Sequence, residues 1–347
     1  MQKEPVDVHN RNNMKHKTTI RCKEIHPHIN RIILPLPGRQ PGPVNAYLFT
    51  GKQTTLLDTG TRRTTRHLEE SLRQIGIGFS DIDRIILTHG HIDHYGAARQ
   101  VVKRSSGRTA VVVHREDAPV VETGMEVSDR QFSKFYRLMG VPLVFELLFY
   151  AMGLFFSSLA ENCRVDLCLS DGEKIQVGDY EATVIATPGH TKGSICLYLE
   201  KESILFSGDH VLGHITPNAF VMLESDFDIP WRMSQVEFYN SLRKIESLAP
   251  RIVYPAHGKP ITDLPKTAAM YREQFSLRQE KILAILKKGD FTVYSIARSL
   301  FSEISGKRLP LEIFLSVSEV FTHLQVLEKD GMVASHVKRG KQCYSLM

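Results

Sequence analysis

The chain has 347 residues, 42% apolar and 24% charged, with a formal net charge of +6. That composition leaves room for one large globular domain and one small one, and excludes collagenous, low-complexity and wholly disordered chains. Residues 1–22 carry five Lys/Arg against two Asp/Glu, residues 278–347 carry eleven against seven, and the remainder 28 against 29. A surface that grips a polyanion is therefore expected at the ends and not on the near-neutral body.

Residues 1–22 lack a secretory apolar core and read as a flexible basic tail. Residues 31–36, 45–49 and 54–58 read as strands punctuated by Pro/Gly loops. Residues 62–76 show helical spacing, with Leu68, Leu72 and Ile75 on one face. The short apolar run 84–87 is a strand that delivers Thr88, and 111–113 is a strand ending at His114. A helical insertion is expected over 128–162. Its stretch 141–160 has Glu146 as the sole charge. That length could span a bilayer. It sits, however, between motifs that must meet in one site, so a buried helix, a lid or a homodimer contact is expected in place of a membrane span.

Strands resume at 174–177, 181–186, 195–199 and 203–206. A helix near 232–248 and a strand at 251–254 follow. The tail from 277 has a different pattern. Helices are expected at 277–288, 292–301 and 311–329. Residues 332–337 and 342–346 then flank Lys338-Arg339-Gly340-Lys341 as a hairpin. Three helices and a basic-tipped hairpin make a winged helix. The expected division is a tail at 1–22, a catalytic domain at 23–276 and a winged-helix domain at 277–347.

The five cysteines, Cys22, Cys163, Cys168, Cys196 and Cys343, are odd in number and fit neither a zinc ribbon nor a disulfide framework. A reduced, cytoplasmic setting follows, with Cys163 and Cys168 read as buried small residues.

The chemistry is concentrated in His89, His91, Asp93 and His94, within six residues. Imidazole and carboxylate suit zinc, iron, manganese or cobalt. Consecutive loop residues cannot all reach one ion without strain, whereas alternate ones can point together. His89 and His91 can therefore serve one ion, and Asp93 and His94 its neighbour. Neither pair completes a coordination sphere. Thr187-Pro188-Gly189-His190, Ser207-Gly208-Asp209-His210 and Pro255-Ala256-His257-Gly258 offer further ligands at strand ends.

This H-x-H-x-D-H run, followed by P-G-H-T, G-D and A-H-G, resembles the metallo-β-lactamase superfamily over about residues 28–262. The resemblance implies an α+β fold of the αββα sandwich type. It implies that His89, His91 and His190 hold one metal, that Asp93, His94 and His257 hold a second, and that Asp209 bridges them. Asp58 resembles the acidic residue that orients the site from behind. Two divalent ions are expected, zinc first, with iron or manganese also compatible. A water shared by two such ions has its pKa lowered from about 16 towards neutrality, giving a bridging hydroxide for hydrolysis. Asp93 or Asp209 could then pass a proton to the leaving group. His114, His210 and His214 are further candidates for substrate contact or proton transfer, each against a competing structural role.

Membership of such a superfamily does not define a substrate. The near-neutral body and the apolar insertion favour a small acyl substrate: a thioester, or a related ester or lactone. The layout also resembles the β-lactamase-like-protein-2 group, which includes an endoribonuclease. Single-strand RNA cleavage is therefore the alternative, with Lys338, Arg339 and Lys341 meeting phosphates. Against it, the third tail helix carries only Lys329 as a basic residue. A glyoxalase-II-like role would usually show Gly-Gly where this chain has Tyr95-Gly96. A non-enzymatic DNA-binding regulator is disfavoured by the intact ligand set.

Overall fold

The computed structural model describes residues 22–36, 41–124, 129–223, 232–301 and 309–347. The expected basic tail lies outside them, apart from Cys22.

Two sheets form the centre. The first has the strand order β1 (Cys22–His26), β2 (Ile29–Leu34), β3 (Val44–Phe49), β4 (Thr55–Leu57), β5 (Arg84–Ile86), β6 (Ala110–His114) and β7 (Leu167–Leu169). Pairing is antiparallel up to β4 and parallel from β4 to β7. The second sheet contains β8 (Lys174–Val177), β9 (Tyr180–Ala186), β10 (Ile195–Leu199), β11 (Ile204–Gly208) and β12 (Ile252–Pro255). Its pairs are antiparallel except β11 with β12.

Side-chain alternation along the strands builds the layers. In β3 every residue is buried. Ala46 and Leu48 join a cluster with Leu68 and Leu72 of α1 (Thr65–Arg73), while Tyr47 and Phe49 face Leu197 and Phe206 of the other sheet. α2 (Ile92–Tyr95) and α3 (Ala98–Arg104) lie on the α1 side, and α4 (Ala118–Thr123) follows β6. The second sheet is covered by α7 (Ser234–Ser247) and the first half of α8 (Leu264–Leu286), through Phe238, Leu242, Leu264, Ala268 and Tyr271. Helix, sheet, sheet, helix is the expected sandwich.

The insertion consists of α5 (Asp129–Leu138) and α6 (Val144–Ser157). Phe135, Tyr136, Met139 and Phe149 share a core with Ile282 and Leu286 of α8, with α9 (Val293–Leu300) and with α10 (Leu309–Lys329). A third sheet of order β13 (Phe291–Thr292), β15 (Lys341–Leu346), β14 (Val333–Lys338) closes that unit.

Residues 276 and 277, where the domain boundary was expected, lie inside α8, one unbroken helix whose first half packs on the sandwich and whose second half packs on the C-terminal core. One expectation is corrected. Cys163 is buried, but Cys168 is exposed on β7; all five cysteines are unpaired. Among the described residues no helix is long and apolar enough to cross a membrane. The 14-residue α6 spans only about 21 Å.

Candidate metal centre

β4 and β5 are parallel neighbours, and so are β11 and β12. β9 lies two antiparallel pairings from β11, so it also runs in the same direction as β11. The C-terminal ends of these strands therefore share one edge of the sandwich. β4 delivers Asp58 there, β5 delivers the 88–91 loop, β9 leads to His190, β11 to Asp209 and β12 to His257. Ile195 N donates to Thr88 O at 2.9 Å and joins the two halves at this edge. Gly208 has φ +52°, and a β-carbon there would lie 2.8 Å from Thr88 Cβ, so only glycine lets β11 approach this closely.

All seven proposed ligands meet. The facing atoms of His89, His91 and His190 lie within 4.8 Å of one another, as do those of His89, His94 and Asp209, and those of Asp93, His94 and His257. His91 Nδ1 is 3.0 Å from His89 Nε2 and 3.1 Å from His190 Nε2. Asp209 lies between the two groups. Its Oδ2 is 3.6 Å from His94 Nε2 and from His190 Nε2, and its Oδ1 is 3.5 Å from His257 Nε2. Asp93 Oδ2 is 3.5 Å from His257 Nε2.

The outer ring nitrogens are anchored, which leaves the inner ones facing one another. His94 Nδ1 donates to Asp58 Oδ2 at 2.9 Å, and the same carboxylate accepts Thr88 N and Thr88 Oγ1. Asp58 holds φ +60° to do this. His190 Nδ1 donates to Asn218 O at 2.9 Å, and His257 Nδ1 to Gly42 O at 3.0 Å.

The donor set fits divalent cations. His94 Nε2, His257 Nε2 and Asp209 Oδ1 are buried without a hydrogen-bond partner. Stranded polar atoms of this kind cost about 1–3 kcal/mol each unless something satisfies them. Burial holds His91 down to about 3 and lowers His89 and His190, so these rings are neutral, as ligands must be. Burial opposes charge on Asp93 and Asp209 too, but the facing histidines outweigh it: Asp93 falls to about 2, and Asp209 falls well below the carboxylate range. His94 rises because Asp58, Asp209 and Asp93 outweigh its burial.

The three further histidines belong to none of these groups. His114 accepts from Glu116 N within its own turn. His210 is fully buried against the Phe238 ring at 4.5 Å, and burial lowers it to about 3. His214 is exposed and donates to Pro41 O at 2.9 Å.

Sequence reasoning missed three residues that organise the site. Asp117 is buried and accepts Gly90 N, Thr191 Oγ1 and Gly193 N, each at 2.7 Å, tying the loop of His89 and His91 to the loop of His190. Phe220 places its ring 5.5 Å from that of His91 and 5.4 Å from that of His190. Ser318 of α10 accepts Val221 N at 2.7 Å, fixing the segment that carries Asn218 and Phe220. None of the three lies in a motif.

The profile of the metallo-beta-lactamase superfamily matches residues 39–257. The chain belongs to that superfamily and is one of its metal-dependent hydrolases. A probable metallo-hydrolase of Bacillus subtilis is 30% identical over 85% of this chain and 91% of its own length. A beta-lactamase-like protein 2 homologue of Caenorhabditis elegans is 25% identical over 85% and 84%. An atrochrysone carboxyl ACP thioesterase of Aspergillus terreus is 26% identical over 86% and 78%. Among solved structures, a metallo-beta-lactamase family protein of Thermus thermophilus superposes with a TM-score of 0.70 at 25% identity, over 93% of this chain and all of that one.

Proposed function

We propose that this chain hydrolyses an acyl thioester, or a related ester or lactone, with two divalent cations held by His89, His91 and His190 on one side and Asp93, His94 and His257 on the other. Zinc is the first choice of metal. The observation that carries this reading is the position of Asp209, within 3.6 Å of ligand nitrogens from both groups, where a bridging ligand belongs. Cations held there would lower the pKa of a water and take up charge developing on a carbonyl oxygen. The chain's own part is orientation and proton handling. Asp58 and the carbonyls of Asn218 and Gly42 hold the imidazoles in the required tautomer. Asp93 is the more open carboxylate, 18% exposed against 9% for Asp209. It is ionised, and so can take a proton from water and return it to the leaving thiolate.

An acyl substrate is supported by the surroundings. Among the described residues, the hydrogen-bond and ring partners of the seven side chains beyond one another include Asp58, Thr88, Gly42, Pro43, Asn218 and Phe220, which are acidic, neutral or apolar. The thioesterase named among the relatives agrees with that chemistry. We also read α8, α9, α10 and the third sheet as a winged helix. Its basic tip keeps single-strand RNA cleavage as a second reading, one that the named beta-lactamase-like protein 2 homologue favours.

The test is turnover by the metal-loaded full chain of acyl-CoA thioesters, lactones and single-stranded RNA. Thioester cleavage is expected. The Asp93→Ala variant should lose about a thousandfold or more in turnover while keeping its circular dichroism spectrum. RNA cleavage without thioester cleavage would transfer the assignment to the second reading. Full activity of Asp93→Ala would sink the mechanism.

A further inference from the structure

The aromatic rings beside the metal centre form a continuous series that the hydrolytic chemistry does not use. Phe220 lies against His91 and His190. Its ring is 6.4 Å from Phe314 of α10. Phe314 stacks on Phe132 of α5 at 5.6 Å and on Tyr136 at 5.7 Å, with interplanar angles of 16° and 23°. Phe132 in turn meets Phe149 of α6 at 5.7 Å.

Burial separates these rings into two kinds. Phe135, Tyr136 and Phe321 are fully buried, as core rings are. Phe220, Phe314 and Phe132 are only partly buried. Each therefore keeps part of its apolar area open to solvent, and the ring series they form begins at His91 and His190. Apolar surface left beside polar convergent groups is the ordinary composition of a small-molecule site. Its fixation is specific: Ser318 of α10 holds Val221 N at 2.7 Å, so the helix that carries Phe314 also sets the backbone that carries Phe220. The nearby Arg278 is paired with Glu319 at 2.8 Å and lies over the Phe301 ring.

We propose that Phe220, Phe314 and Phe132 form the wall that binds the apolar, aryl or long acyl, part of the substrate, making α10 and α5 specificity-determining parts of the active site. This rests on the acyl-hydrolase reading above. It also relocates the role expected of the apolar insertion. α5 provides the lining ring, whereas α6 stands behind it through Phe149 and turns Leu147 and Leu154 outward.

The experiment measures binding of 2-naphthoate and of acetate to the metal-loaded full chain by calorimetry. It then measures kcat/KM for naphthoyl and acetyl thioesters of N-acetylcysteamine. Naphthoate should bind about tenfold or more tighter than acetate, and this ratio should fall by about that factor in Phe314→Ala and in Phe132→Ala. Phe314→Leu, which keeps apolar volume without the ring, should be intermediate. Metal content and melting temperature report whether each variant has kept its site. A ratio unchanged in both alanine variants would overturn the wall. Cleavage of both thioesters with that same indifference would leave the acyl-hydrolase reading standing without it. If neither thioester is cleaved but naphthoate binding still depends on Phe314, the acyl-hydrolase reading fails and the wall stands. Displacement of naphthoate by oligoadenylate at physiological salt would overturn the acyl assignment, because bases also stack on such rings.

Discussion

Asp117 shows how a residue without a motif organises a site. One buried carboxylate accepts two backbone amides and one hydroxyl from loops 27 to 76 residues away. Burial raises its pKa, against the lowering effect of those hydrogen bonds. Asp117→Ala would strand three donors at about 1 kcal/mol or more each, so a loss of about 3 kcal/mol in denaturant unfolding is expected. Metal affinity, read by competition with a chelator, should weaken about 10- to 100-fold, as for other supports behind ligands. Stability unchanged within about 0.5 kcal/mol would show that the carboxylate is dispensable. The contrast with the ligands is instructive. His89, His91, Asp93 and His94 were legible because four side chains able to hold a metal crowd into six positions. Asp117 was not legible, because aspartate is common in loops and its partners are distant in the chain.

At the scale of elements, α10 links stability to pH. His323 on α10 is buried against Phe275 at 5.4 Å, with Gln235 on its Nδ1 at 3.2 Å. Burial, with Arg278 adding to it, lowers its pKa from 6.5 to about 3. The folded state therefore binds fewer protons than the unfolded chain between those values. Stability contributed by the neutral ring is present above pH 6.5 and is lost as pH falls through about 3, by roughly 5 kcal/mol at 1.36 kcal/mol per unit. His323→Gln should flatten that part of the stability–pH profile; an unchanged slope between pH 6 and about 4 would exclude His323 as its source. α10 itself was legible from its apolar periodicity, Val317, Val320, Leu324 and Leu327 forming one buried face. The first half of α8 was not read as helix. Its signal exists: Asp263 caps Lys266 N at 2.9 Å, Pro265 opens the first turn, and Leu264, Ala268, Tyr271 and Phe275 recur at helical spacing. Alanine and the intervening polar residues make that face weakly apolar, so only its packing on the second sheet declares it.

At the scale of the molecule, the insertion and the C-terminal unit share one core, although more than a hundred residues separate them in the chain. A chain truncated after residue 276 would leave Phe135, Tyr136, Met139 and Phe149 without cover. It would also cut α8 in mid-helix and remove Ser318 from Val221. Exposing several large apolar side chains at about 1.5–3 kcal/mol each is comparable to the whole margin of a typical domain. The truncated protein is expected to be insoluble, or to melt far below the full chain by calorimetry. A soluble truncation with intact thermal stability and metal content would contradict the shared core.

The sequence by itself determined the metal chemistry and the sandwich that presents it. Candidate ligands were crowded at strand ends, and most strands announced themselves as short apolar runs. These are local signals, carried by spacing over fewer than ten residues. Only the tertiary structure decided which atoms turn inward, because each imidazole is oriented by a partner elsewhere in the chain: Asp58 for His94, Asn218 for His190 and Gly42 for His257. It also decided what lies over the centre. The C-terminal helices looked like a separate module and the apolar insertion like a buried helix, a lid or a dimer contact. Buried together, they place Phe314 and Phe132 in line with Phe220 at the metal site. Apolar periodicity says that a face will be covered, but the covering partner is chosen by the packing of the whole chain.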